Sequence, residues 1–180
     1  MGITRQQALD CFASDDLIGI GMEADAIRRT LHPGGVVTYA IGPAEPASNV
    51  KSTATMTIGQ GESVEQRIEQ LEKLRSEQEE SGAFTAFRLV TSTALAPDDP
   101  TAVEYLKTLA ISRLYLDNIA NIEASLDTQG LKVLQMTLRF GANDAGAISE
   151  TTEEDIRRVI RGAGLKPVER DADYRTHFLA

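Results

Sequence analysis

The chain has 180 residues, 42% of them apolar and 25% charged, which is enough for one domain with a sizeable core. A net charge of −9 argues against a nucleic-acid or anionic-membrane surface, and no apolar run approaches the roughly 20 residues of a membrane span. The single cysteine, Cys11, excludes an intramolecular disulfide, and with a polar N-terminus, MGITRQQALD, the expected location is the reducing cytoplasm.

In chain order, a capping box of Thr4 with Gln7 opens a short helix that runs to Phe12. A second helix is predicted from about Asp16 to Leu31; it must stop before Pro33, which cannot continue a helix. Gly34-Gly35 then turn into a strand from Val36 to Ile41. Residues 42–52, GPAEPASNVKS, break the composition and read as a linker.

Thr53 to Ile58 is β-branched and apolar, a buried strand. Gly59-Gln60-Gly61-Glu62 is a turn, and Ser63 with Gln66 forms a second capping box. Val64, Ile68, Leu71 and Leu74 share one face of the helix that follows, which Gly82 ends. A strand is predicted from Phe84 to Val90 and a loop from Thr91 to Pro100. Thr101 and Glu104 read as a third capping box, opening a well-buried helix to about Leu116. A strand from Ile119 to Leu126, a helix from Gly130 to Phe140 and a very short strand near Ala142-Asn143 come next. Thr152 with Asp155 caps a last helix ending near Gly162 to Gly164, and residues 165–170 with the tail close the chain.

Strands alternating with helices imply βαβ units and a parallel sheet. The expected fold is α/β in one domain, 1–180: helices and first strand in 1–41, linker 42–52, β/α units in 53–150, and a C-terminal helix and tail in 151–180.

Gly59, Gly61 and Glu62 form a strand–GxGE–helix unit that either presents backbone groups to a nucleotide-like ligand or only makes a tight turn. Glu62 also sits where a carboxylate favours the helix dipole. Glu123, Ser125, Asn143 and Asp144 fall within or just after strand-like segments, and Gln129 lies on the same rim. Parallel sheets gather their sites at the strands' C-terminal ends, so these five are candidate substrate-binding residues, with loop and cap chemistry as the alternative. His32 and His177 lie far apart without ligand-spaced partners, so no metal is expected. Cys11 reads as packed beside Phe12, and the acidic runs at 77–80 and 150–154 as solvated faces. No phosphate loop, GxSxG or HExxH occurs, and no catalytic residue is assigned.

Residues 16–41, 53–87 and 101–144 together resemble the radical S-adenosylmethionine family of dehypoxanthine futalosine cyclase, from the futalosine route to menaquinone. The deazaflavin-cofactor synthase and aminofutalosine synthase are more distant relatives. Residues 153–175 resemble that family's C-terminus. The resemblance implies an eight-stranded β/α barrel, a four-iron cluster on a CxxxCxxC loop after the first strand, and a GxGE-type strand that helps hold S-adenosylmethionine, which maps onto Gly59, Gly61 and Glu62. This chain departs from the pattern. Lys51, in Ser48-Asn49-Val50-Lys51, stands where the first cluster cysteine belongs, the other cysteines and strands two to four are missing, and a shorter loss follows Asp144.

The implied product is a partial barrel, half of the parent. It has about five mostly parallel strands with flanking helices, ordered 1-8-7-6-5, and two open edges. Such edges lead to self-association as a homodimer or domain-swapped dimer. The expected function is that of a non-catalytic homologue keeping part of a nucleoside or S-adenosylmethionine pocket, without an iron–sulfur cluster. The alternatives are an enzyme of futalosine-dependent menaquinone biosynthesis and an interaction protein without a ligand.

Overall fold

The computed structural model describes residues 2–42, 52–92, 101–148 and 152–177. Two helices, α1 (Arg5–Ala13) and α2 (Leu17–Leu31), precede strand β1 (Val36–Ile41). There follow β2 (Ser52–Ile58), α3 (Val64–Ser81), β3 (Phe84–Thr91), α4 (Ala102–Tyr115), β4 (Asn121–Ala124), α5 (Leu126–Thr137), β5 (Asp144–Ile148), α6 (Glu153–Gly162), β6 (Lys166–Arg170) and the two-residue β7 (Thr176–His177).

One sheet carries all the strands in the order β2-β3-β4-β5-β1-β6-β7. Every neighbouring pair is parallel except β6 with β7. The sheet is an open arc, a partial α/β barrel that does not close. Read from β1 to β2 it has the order expected for a barrel reduced to its first and last four strands.

Local chemistry explains the element ends. The boxes Thr4/Gln7 and Ser63/Gln66 form in both directions. Gly82 closes α3 at φ 59, in the left-handed region that glycine enters without cost. At Thr101 only half a box forms: the hydroxyl accepts from Glu104 N, while the Glu104 carboxylate turns away to Arg67.

Four expectations need correction. The β4 strand is shorter than residues 119–126, because α5 begins at Leu126, and Gly130 with φ 74 and ψ 172 kinks that helix instead of starting it. The β5 strand runs from Asp144 to Ile148, so the short strand expected near Ala142-Asn143 starts two residues too early. Lys166–Arg170 is a strand, and it pairs along β1 from Val36↔Lys166 to Tyr39↔Glu169. The β1 edge expected to be open is therefore covered by β6, and the sheet ends at β2 on one side and at β7 on the other. Residues 43–51 of the linker, with Lys51, and 93–100 of the predicted loop lie outside the described residues.

The hydrophobic core lies between the sheet and the helices. Phe87, Leu89 and Ile122 face α4, whose residues from Thr108 to Tyr115 are all buried. That second half of the helix is buried all round because α1, α2, α3 and α5 flank it as well as the sheet. Each fully buried Leu or Ile there contributes roughly 2 kcal/mol. Among the described residues no helix is long and apolar enough to cross a membrane.

Candidate ligand site on the inner face of the sheet

The opposite face of the sheet is polar, and strand register makes it so. Thr55 pairs with Arg88, Arg88 with Glu123, Glu123 with Asp144, and Asp144 with Thr38. Paired residues in parallel strands point the same way, so these five form one row across β2, β3, β4, β5 and β1.

Asp144 is fully buried and fully used. Arg170 of β6 binds it in a fork, with Nε to Oδ2 at 2.5 Å and Nη2 to Oδ1 at 2.8 Å. The Thr38 hydroxyl donates to Oδ2, and Gly146 N donates to Oδ1 at 2.7 Å. Between Thr38 and Ala40 the register slips, so that β5 carries an extra residue against β1. Gly146 takes φ 78 at this bulge, which lets its amide turn back on Asp144.

Glu123 is almost as buried. Its Oε2 accepts from Tyr174 at 3.2 Å and lies 3.7 Å from Arg170 Nη2. Arg88 Nε lies 2.6 Å from its Oε1, yet that buried N–H has no aligned acceptor, so the contact is an ion pair and not a hydrogen bond. Burial, and then the negative charge of Asp144, raise the proton affinity of Glu123; Arg88 and Arg170 pull it part of the way back.

A cavity of about 360 Å³ opens beside this row, lined by Arg88, Glu123, Ser125, Asp127, Thr128 and Gly146 among others. Glu123 and Ser125 thus meet in one cavity at the C-terminal end of β4. Ser125 Oγ accepts from Thr128 at 3.0 Å, and its backbone N donates to Tyr105 Oη at 3.0 Å. Gln129 sits alongside, tying α5 to the end of β3 through Thr91 Oγ1 at 3.0 Å. Asp144 lies beneath the wall as its anchor. Asn143 is elsewhere: its Oδ1 accepts from Arg113 of α4 and from Ile122 N, both at 2.8 Å.

Gly59, Gly61 and Glu62 do not share the cavity. The Glu62 carboxylate accepts from Gly59 N at 3.0 Å and Gln60 N at 2.7 Å, and Arg67 Nε donates to it at 2.8 Å. The turn therefore closes on its own side chain. A separate groove of about 500 Å³ runs from Gln60 and Gly61 along α3 past Gln66, Gln70 and Lys73. His32 caps α2, with Nε2 3.0 Å from Ala120 O. Cys11 is half-buried against the core, and burial raises its thiol.

Sequence reasoning missed Arg88, Arg170 and Tyr174. An arginine inside the apolar run FTAFRLV was the available signal for the first.

An open parallel β/α sheet with a polar pocket over its inner face belongs to the class of barrel-derived α/β proteins. Residues 84–179, more than half of the chain, match the CofH/MqnC C-terminal region, and the chain belongs to that family. It is 37% identical to the cyclic dehypoxanthine futalosine synthase of Halalkalibacterium halodurans, over 68% of this chain and 38% of the relative. It is 31% identical to the aminodeoxyfutalosine synthase of Thermus thermophilus, over 83% and 43%. It is 34% identical to the 5-amino-6-(D-ribitylamino)uracil–L-tyrosine 4-hydroxyphenyl transferase of Methanospirillum hungatei, over 96% and 56%. The chain is thus a relative of the futalosine-pathway radical S-adenosylmethionine enzymes that spans about two-fifths to just over half the length of these three.

Proposed function

We propose that this chain is a non-catalytic, cytoplasmic relative of the futalosine-pathway enzymes that binds a nucleoside-like small molecule on its inner face and self-associates. The observation that carries the binding reading is the Arg88–Glu123 pair. The terminal nitrogens of Arg88 make no hydrogen bond among the described residues, and the side chain, 32% exposed, ends in the cavity beside Glu123. A guanidinium fork next to a carboxylate offers donors and an acceptor within one reach, which suits hydroxyls and ring heteroatoms. At the Gly59–Glu62 turn the amides already serve Glu62, so the ligand is assigned to the cavity, and the turn to holding that rim. A cluster needs several thiolates in one local loop and this chain has one cysteine, so the reading uses no iron–sulfur chemistry.

Calorimetry with S-adenosylmethionine, 5′-deoxyadenosine and a futalosine-type nucleoside tests the reading. Binding of one of them, weakened at least tenfold in Arg88→Met, is expected; no heat from any of the three refutes it. Reconstitution with iron and sulfide should give neither a stoichiometric cluster nor 5′-deoxyadenosine.

Self-association rests on β2, which pairs only with β3 among the described residues and has Thr55 exposed. Light scattering at micromolar concentration should give a dimer; a clean 19.5 kDa monomer overturns this part. A second reading, an enzyme of futalosine-dependent menaquinone biosynthesis that works with a full-length relative, draws on the raised proton affinity of Glu123. Stimulation of such a relative's turnover by this chain, lost in Glu123→Gln, would favour it.

A further inference from the structure

Tyr174 is the one non-glycine residue with positive φ among the described residues, at 62°. It stands in a turn just past β6, closed by Tyr174 N to Asp171 O at 3.2 Å and Asp171 N to Arg175 O at 2.9 Å. The Asp171 carboxylate accepts from the amides of Asp173 and Arg175, both at 2.9 Å. Glycine would hold this conformation without strain, and the tyrosine that adopts it makes two side-chain contacts toward the sheet. Its ring lies 3.8 Å from the Arg170 guanidinium, and its hydroxyl reaches Glu123 Oε2.

We infer that the turn after β6 is a clasp in which Tyr174, backed by Arg170, positions the Glu123 carboxylate at the wall of the cavity. Four groups face that carboxylate: Arg88 from β3, Asp144 from β5, Arg170 from β6, and Tyr174 from the turn. Arg170 is held by its fork on Asp144, and Arg88 approaches from the open side. Tyr174 alone combines a hydrogen bond to Glu123 with a place on a separate segment. Glu123 Oε2 is thus turned toward the clasp and Oε1 toward the cavity. Gly146 leaves room for this orientation, since a Cβ there would lie 2.8 Å from Oε1. Seating of the clasp and ionisation of Glu123 then favour each other, because a carboxylate accepts the phenol's hydrogen bond more strongly than a carboxylic acid does. The inference does not depend on which ligand enters the cavity.

The test is the titration of Glu123, followed by carboxyl-carbon NMR on glutamate-labelled protein. Tyr174→Phe keeps the ring on Arg170 and removes only the hydroxyl. Its Glu123 midpoint should rise by about half a pH unit or more, since a lost donor leaves the charged form less stable. An unchanged midpoint means that Tyr174 merely packs, and overturns the inference. Hydrogen exchange gives the reciprocal arm: Glu123→Gln should speed exchange of the Asp171 and Tyr174 amides severalfold while β3 stays protected. Unchanged exchange in a folded Glu123→Gln protein would also overturn the coupling. Should that variant fail to fold, the conservative Tyr174→Phe titration decides alone.

Discussion

Arg67 Nη2 stands 2.7 Å from Glu62 Oε1, and the same nitrogen lies 2.5 Å from Glu104 Oε1. One buried guanidinium therefore joins the GQGE turn to the first turn of α4. Its Nη1 adds Thr108 at 3.4 Å. Replacing Arg67 with Met strands a partly buried carboxylate that also holds two backbone amides. The expected cost is about 2–4 kcal/mol in urea unfolding, with faster hydrogen exchange at Gly59 and Gln60.

Glu62 and Glu123 should give the chain's stability opposite dependences on pH. Burial works against ionising Glu62, but the amides of Gly59 and Gln60 and the charge of Arg67 outweigh it, so its folded proton affinity falls below the ordinary carboxylate value. Its contribution is present above the unfolded pKa and is lost as pH drops through the folded one. Glu123 is shifted upward, so from about pH 4.3 upward the folded state holds a proton that the unfolded state has released, and stability falls as pH rises through that window. Glu62→Gln should flatten the acid-side loss of stability. Glu123→Gln should instead remove the loss in the mildly acidic range. Chemical denaturation at a series of pH values separates the two.

Gly146→Ala is expected to cost about 2–4 kcal/mol, from a Cβ at positive φ and contact with Glu123. A thermal unfolding curve matching the parent's would show that the bulge gives way at no cost.

Arg113 is fully buried and donates to Gly141 O at 2.9 Å, Ala120 O at 2.8 Å and Asn143 Oδ1 at 2.8 Å. A lysine carries the charge without the planar fork. Arg113→Lys should lose about 2–4 kcal/mol, and the loops entering β4 and β5 should exchange faster than β2 and β3.

The arc of five strands was readable from spacing and resemblance, and so were the helix starts at Thr4 and Ser63, because capping chemistry is local. The failures are non-local. KPVER carries a proline and three charges and looks like no strand; it becomes one by pairing with β1. Ser125 begins α5 without a side-chain cap bond, so Gly130, the nearest glycine, drew the predicted start. Of the candidate residues, Glu123 and Ser125 line the cavity, and they were picked out because polar residues inside a strand demand an explanation. Asn143 looked the same in sequence, but it lies one residue before β5 and meets Arg113, while Asp144 faces Arg170. Tyr174 gave no signal, since neither its backbone angle nor its distant partner is written in neighbouring residues.

The first strand of the sequence sits in the middle of the sheet. Thr38 meets Asp144, 106 positions further on, and Val36 meets Lys166 beyond that. During synthesis β1 therefore emerges long before either neighbour exists, while β2, β3 and β4 can assemble in order around α3 and α4. Folding is therefore expected to end with the capture of an early strand by a late one, a closure over long sequence separation during which β1 lacks its partners.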